Sequence, residues 1–145
     1  MKKLINIFVI SLIANCQLPT ANLFANSAKV DSLLQVLQTA KHDTTRIKAL
    51  NTLAAKFITS KPDTALLLAQ QALELSQTAD WQQGLISSYH NIGYVHFVQS
   101  NYPAALKSWT KTYELRKQQG DWKGMADSYN NIGAIYRHQS SFPQA

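Results

Sequence analysis

The sequence predicts an all-α fold, an antiparallel helix-pair solenoid of about two and a half repeats. One segment is written twice: WQQGLISSYHNIGYVHFVQSNYPAA from Trp81 returns as WKGMADSYNNIGAIYRHQSSFPQA from Trp122, with Gly84 and Gly124, Gly93 and Gly133, and Pro103 and Pro143 each 40 residues apart. A fixed period in this range marks stacked units, each burying its apolar face against its neighbours. Only five glycines and four prolines occur, and the stretches between them carry Ala, Leu, Gln and Lys, which favour helix over strand. Apolar residues along those stretches recur at helical spacing.

Residues 1–27 read as a secretory leader: basic Lys2-Lys3, an apolar run of 11 residues from Leu4 to Ala14, and a polar stretch ending near Ala25-Asn26-Ser27. Such a run is too short for a membrane span, which needs about 20 residues. Cleavage after Ser27 makes the protein exported and periplasmic; an uncleaved leader makes it membrane-anchored. Cys16 is the only cysteine, so no internal disulfide can form. Its setting, Leu12-Ile13-Ala14-Asn15-Cys16, invites comparison with a bacterial lipoprotein signal. Asn15 stands where that signal wants Gly, Ala or Ser, so Cys16 is expected to leave with the leader and lipidation is the alternative.

Residues 28–42 hold an N-terminal helix, with Val30, Leu33, Leu34 and Leu37 on one stripe. The first unit, 43–80, starts at Asp43-Thr44-Thr45 and continues through Ile47, Leu50, Leu53, Ala54, Phe57 and Ile58 as an amphipathic helix. Pro62 ends that helix and starts the next, because it disfavours helix at the residue before it and suits the first helical position. From Pro62 to about Thr78, Ala65, Leu68, Ala69, Ala72 and Leu75 share a face. The second unit, 81–121, carries helices from about Gln82 to Gln99 and from Pro103 to Gln118; the incomplete third, 122–145, carries one from about Lys123 to His138. Short links at Ser100-Asn101-Tyr102 and Gly120-Asp121-Trp122 make neighbouring helices antiparallel. Asp80-Trp81 and Asp121-Trp122 recur at links, where the aspartate can cap the next helix and the indole can pack over the joint. Gly93 and Gly133 fall inside helices, where glycine costs about 1 kcal/mol against alanine. The expected compensation is close approach of a partner helix.

Tyr89, Ile92-Gly93, Ala105 and Trp109 in the second unit, and Tyr129, Ile132-Gly133 and Ala145 in the third, resemble tetratricopeptide repeats. Those units are helix-turn-helix hairpins with a large residue at the fourth position, an apolar-small pair at the seventh and eighth, alanine at the twentieth and an aromatic at the twenty-fourth. A looser first unit offers Leu50, Leu53-Ala54 and Ala65, with Ala69 where an aromatic is usual. The resemblance implies a right-handed superhelix in which Tyr89, Ile92, Gly93, Ala105, Trp109, Tyr129, Ile132 and Gly133 pack the repeats. The period of 40 departs from the usual length of about 34. Longer units resemble a subclass found in bacterial signalling and scaffold proteins. Lys61-Pro62-Asp63-Thr64-Ala65-Leu66, followed by Gln71-Ala72-Leu73-Glu74-Leu75, is similar to exported sensor regions of Bacteroidetes-type histidine kinases. Since Ala145 stands where the second helix of the third unit should begin, we expect a piece of a longer protein. Tyr129, Ile132, Ile135 and Tyr136 are then left uncovered and open to self-association.

The resemblance also implies a concave groove formed by the first helix of each unit. Ser87, His90, Asn91, Tyr94, Phe97 and Val98 would point into it, followed by Asp127, Asn130, Asn131, Ala134, Arg137 and His138. Asn91 and Asn131 recur, and an amide that donates and accepts at once can hold the backbone of an extended peptide.

Other functions lack support. The charge of +6 falls to +4 without Lys2 and Lys3, and Arg116-Lys117 is the only adjacent basic pair outside the leader. No stripe of the kind that tracks nucleic acid exists. His90 and His96 lie about 240° apart around a helix axis and cannot share a metal ion. The mature part has no cysteine, Gly-rich phosphate loop, nucleophile elbow or paired carboxylates, so neither an enzyme nor a cofactor is expected. The expectation is an exported module that binds a peptide or partner domain. The alternative is the sensory N-terminal region of a histidine kinase or transcription regulator. Membrane contact is expected only through an uncleaved leader, lipidation or a missing C-terminal segment.

Overall fold

The computed structural model describes residues 28–140. The expectations for the leader, Cys16, Pro143 and Ala145 lie outside the described residues. The chain divides into two units, Met1–Ser32 and Leu33–Ala145. Of the first, residues 28–32 are described, and they are helical. Every element among the described residues is a helix: α1 (Ala28–Thr39), α2 (Asp43–Phe57), α3 (Pro62–Thr78), α4 (Gln82–Val98), α5 (Tyr102–Gln119) and α6 (Trp122–Ser140). None of them is long and apolar enough to cross a membrane.

Local chemistry sets the ends of these helices. Pro62 occupies the first turn of α3, where its missing N–H leaves no bond unmade. Helix α5 begins at Tyr102, one residue before the expected proline, because the Asn101 side chain accepts the Ala104 N–H at 3.4 Å and so caps the helix. It ends at Gly120, whose φ of 68° is left-handed and whose N–H returns to the Arg116 and Lys117 carbonyls. Asp121 caps α6 as expected, accepting the Gly124 N–H at 2.9 Å. Asp80 does not cap α4. It takes a left-handed φ of 47°, and the Trp81 N–H then reaches back to the Ser76 carbonyl at 3.0 Å, closing the end of α3. Ser100, at φ 60°, ends α4 in the same way, with the Asn101 N–H on the His96 carbonyl at 2.8 Å.

The core runs in layers along consecutive helices. Ile47 and Leu50 of α2 pack with Ala72 of α3, joined by Leu37 and the half-buried Trp81. Ala54, Ala69 and Ile92 form the next layer, and Ile58, Ala65 and Val95 the one after. The α3 face consists of Ala65, Ala69 and Ala72, all fully buried, and their small size lets α2 and α4 pack close on either side. From α2 onward, contacts join each helix to the next in the chain and also α2 to α4, as a stack of helix pairs requires.

The α4–α5 crossing is made at Gly93. A Cβ placed there would stand 2.5 Å from the Trp109 indole, which is 1% exposed and donates its N–H to the His90 carbonyl at 3.2 Å. The expected close approach at Gly93 is therefore present. Gly133 differs: apart from its own chain surroundings, the nearest atom to an added Cβ is the Arg137 Nη1 at 4.0 Å, and no partner backbone lies against it. Helix α6 meets α5 through a different side. Ile135 is 1% exposed because Ala105 and Trp109 cover it, with Ile132 packed on the same cluster. Of the four α6 residues expected to be bare, only Tyr129 and Tyr136 are exposed, at 59% and 57%. Tyr129 is thus not a packing residue like the half-buried Tyr89. Its ring sits 4.7 Å from that of Tyr113, and its hydroxyl donates to the Tyr113 hydroxyl at 3.3 Å. Trp122 is 78% exposed rather than packed over a joint. It follows Trp81 by 41 residues, one out of step with the glycines, which turns the indole by about 100° around the helix.

These crossings generate a paired prediction. Gly93→Ala should lower unfolding free energy by about 1–3 kcal/mol, since the buried indole must shift. Gly133→Ala should leave it unchanged or raise it by up to about 1 kcal/mol through helix propensity. Urea unfolding of the two variants checks this, and equal losses would contradict it.

Candidate functional site

Helices α2 and α4 flank an open groove with a cavity volume of about 400 Å³, lined also by Trp81 at the α3–α4 link and by Arg116 of α5. On α2, Lys48, Asn51, Thr52 and Ala55 line it; on α4, Gln83, Ile86, Ser87, His90 and Asn91 do so. Residues three and four apart on a helix share a face, which brings Ser87, His90 and Asn91 to one wall. Ser87, His90 and Asn91 are thus the groove candidates that the structure brings together.

A polar couple forms the floor. The Asn91 side-chain amide donates to both the Asn51 carbonyl and the Asn51 Oδ1, each at 3.0 Å, while the Asn51 amide donates to the Ser88 hydroxyl at 3.1 Å. Both asparagines are 7% exposed. The pairing therefore runs from Asn91 back to Asn51 rather than on to Asn131, which is half-buried and makes no hydrogen bond with Asn91. The Asn91 N–H groups expected to meet a peptide are taken up between helices. The signal for this was available, since Asn51 precedes Asn91 by the 40-residue period.

The walls are cationic, and no carboxylate lines them. Lys48 is exposed, with its ammonium 5.6 Å from the centre of the Trp81 ring. Arg116 donates through Nη1 to the Gly124 carbonyl and to the Ser128 hydroxyl at 3.2 Å, and its Nε stands 4.0 Å from an Asp121 carboxylate oxygen. Burial, then the Arg116 charge, holds the His90 imidazole below the usual histidine range, with Asp127 opposing. Burial alone lowers His96. Lys48, Asn51, Gln83 and Arg116 are wall residues that the sequence reading missed. Lys48 looks like a residue of the solvent face of α2, and Arg116 belongs to a second helix of a unit.

The remaining candidates lie elsewhere. Phe97 is half-buried in an aromatic cluster, 5.5 Å from Trp109, 5.9 Å from Tyr102 and 5.1 Å from His138, so it packs α4, α5 and α6 together. Tyr94 joins that cluster edge-on to Trp109 at 6.0 Å while remaining 40% exposed. Asp127, Asn130 and Arg137 are exposed on α6 and do not line the cavity. Among the described residues no three His, Cys, Asp or Glu side chains gather in a way that could hold a metal ion.

The asparagine couple should carry a measurable interaction energy. Asn51→Ala and Asn91→Ala are each expected to destabilise by about 1–2 kcal/mol, with the double variant losing less than the sum by about 1 kcal/mol. A double-mutant cycle in urea checks the coupling, and simple additivity would show that the bonds contribute nothing specific.

Neither a curated protein nor a solved structure matches the chain. The family model described as Tetratricopeptide repeat matches residues 84–145. Such repeats generally mediate protein–protein interaction and are typically non-catalytic. Residues 84–145 are thus similar to tetratricopeptide repeats, and the described helices stack as the pairs of an all-α helical-repeat solenoid.

Proposed function

We propose that the protein is an exported interaction module that holds an acidic segment of a peptide or partner domain in the groove between α2 and α4. The observation that carries this reading is the cavity of about 400 Å³ walled by Lys48, His90 and Arg116 with no carboxylate among its lining residues. A volume of this size lies within the range of about 300–1,000 Å³ that ligand pockets occupy. Hydrogen-bond donors gathered on a concave wall favour a partner that brings acceptors and negative charge. The buried asparagine couple holds the two walls at a fixed spacing, so the site is pre-organised. Export rests on the leader pattern of Lys2-Lys3 and the apolar run from Leu4 to Ala14. The similarity of residues 61–75 to exported sensor regions favours a second reading, in which the same groove reports occupancy to an output domain.

The test compares acetyl-Glu-Glu-Glu-Glu-amide with its Gln counterpart by calorimetry. The acidic peptide should bind more tightly, should weaken as salt screens the walls, and should lose about three- to fivefold in affinity with Lys48→Gln, the range of an exposed charge pair. Equal binding of the two peptides would overturn the acidic-partner reading.

A further inference from the structure

We propose that His90 is the titratable contact of this cavity: arrival of an anionic side chain is coupled to uptake of a proton on the His90 imidazole, so acidic peptides bind more tightly as the pH falls. This rests on the acidic-partner reading above.

His90 lines the cavity from α4, and its Nδ1 is buried without a hydrogen-bond partner. The residue is held in place, because the Trp109 indole bonds its carbonyl at 3.2 Å and the Tyr94 ring stands 6.1 Å from its own. The His90 Nδ1 is sealed from solvent, so an anion in the cavity acts on the ring through its charge, which favours the protonated imidazole.

The charges around it then set the sign. Lys48 on α2 and Arg116 on α5 line the same cavity; Gln83 and Ser87, its polar neighbours on α4, are neutral; α3 contributes no lining residue. Asp127 on α6 is the carboxylate that acts on His90. In the empty cavity a third positive charge is opposed by burial and by Arg116, so the imidazole is neutral near pH 7. A carboxylate between the walls reverses that balance and raises the proton affinity of His90. Linkage requires the converse: within the window between the free and occupied titration points, lower pH strengthens anion binding, and below the free point the effect levels off.

The probes are acetyl-Glu-Glu-Glu-Glu-amide and its Gln counterpart, used with the full chain between pH 7.5 and 5.5, where glutamate stays largely ionised. Wild type should bind the Glu peptide roughly tenfold more tightly at pH 5.5 than at pH 7.5, a gain absent in His90→Gln. In wild type, one of the four histidine NMR titrations, identified by its loss in His90→Gln, should move to higher pH with the Glu peptide and stay in place with the Gln peptide. A Glu peptide that binds with the same pH dependence in both proteins, or that leaves the His90 titration unmoved at saturation, overturns this inference while the acidic-partner reading stands. No preference for Glu over Gln at any pH overturns both.

Discussion

The Trp109 indole lying on the backbone of Gly93 is the contact on which the second unit depends. A tryptophan this large can be 1% exposed only if the facing helix offers a gap, and the missing side chain at Gly93 provides it. The indole N–H also needs an acceptor once buried, and the His90 carbonyl supplies one within the same turn of α4. Because His90 and Asn91 belong to that turn, the crossing that fixes α5 on α4 also fixes one wall of the cavity. Packing and the cavity wall therefore share a single element.

The interior is not purely apolar, and its polar groups fall into two kinds. Ser76, Thr112 and Ser128 are buried, yet each hydroxyl donates to a carbonyl four residues earlier in its own helix, at 2.6, 3.1 and 3.0 Å. For Ser76 and Thr112 such bonds satisfy the hydroxyl locally and place no demand on the neighbouring helix, whereas Ser128 also accepts from Arg116 of α5. The Asn51, Asn91 and Ser88 side chains bond across helices. A directional bond inside a small-residue interface penalises sliding of one helix along another, since any slip leaves an amide unpaired in a dry place. The alanine face of α3 permits close approach, and the asparagines set where along the helix it happens.

Much of this was legible in the chain. Pro62, the alanine spacing from Ala65 to Ala72 and the period between Gly93 and Gly133 were enough to place the helices and their order. A period identifies equivalent residues but not equivalent neighbours, and the misreadings share that origin. Gly133 repeats Gly93 in register, yet α6 turns Ile135 rather than Gly133 toward α5. Trp122 is one residue out of step, enough to swing an indole into solvent. Phe97 has groove spacing but is drawn into the ring cluster of Trp109, Tyr102 and His138. Lys48 and Arg116 reach the cavity from helices whose own patterns give no hint of it, because a site made between elements has no periodicity of its own.

The asparagine couple, finally, bears on how such a stack can lengthen by gene duplication. Its donor and its acceptor stand at the same point of two successive units, separated by one full period. Copying a unit in tandem thus delivers the asparagines for both halves of the joint, but Asn131 makes no bond to Asn91, so the newcomer must also be seated in the same register. Growth of the array is limited less by invention of new contacts than by tolerance for small errors of phase, of the kind that already separates the two tryptophans.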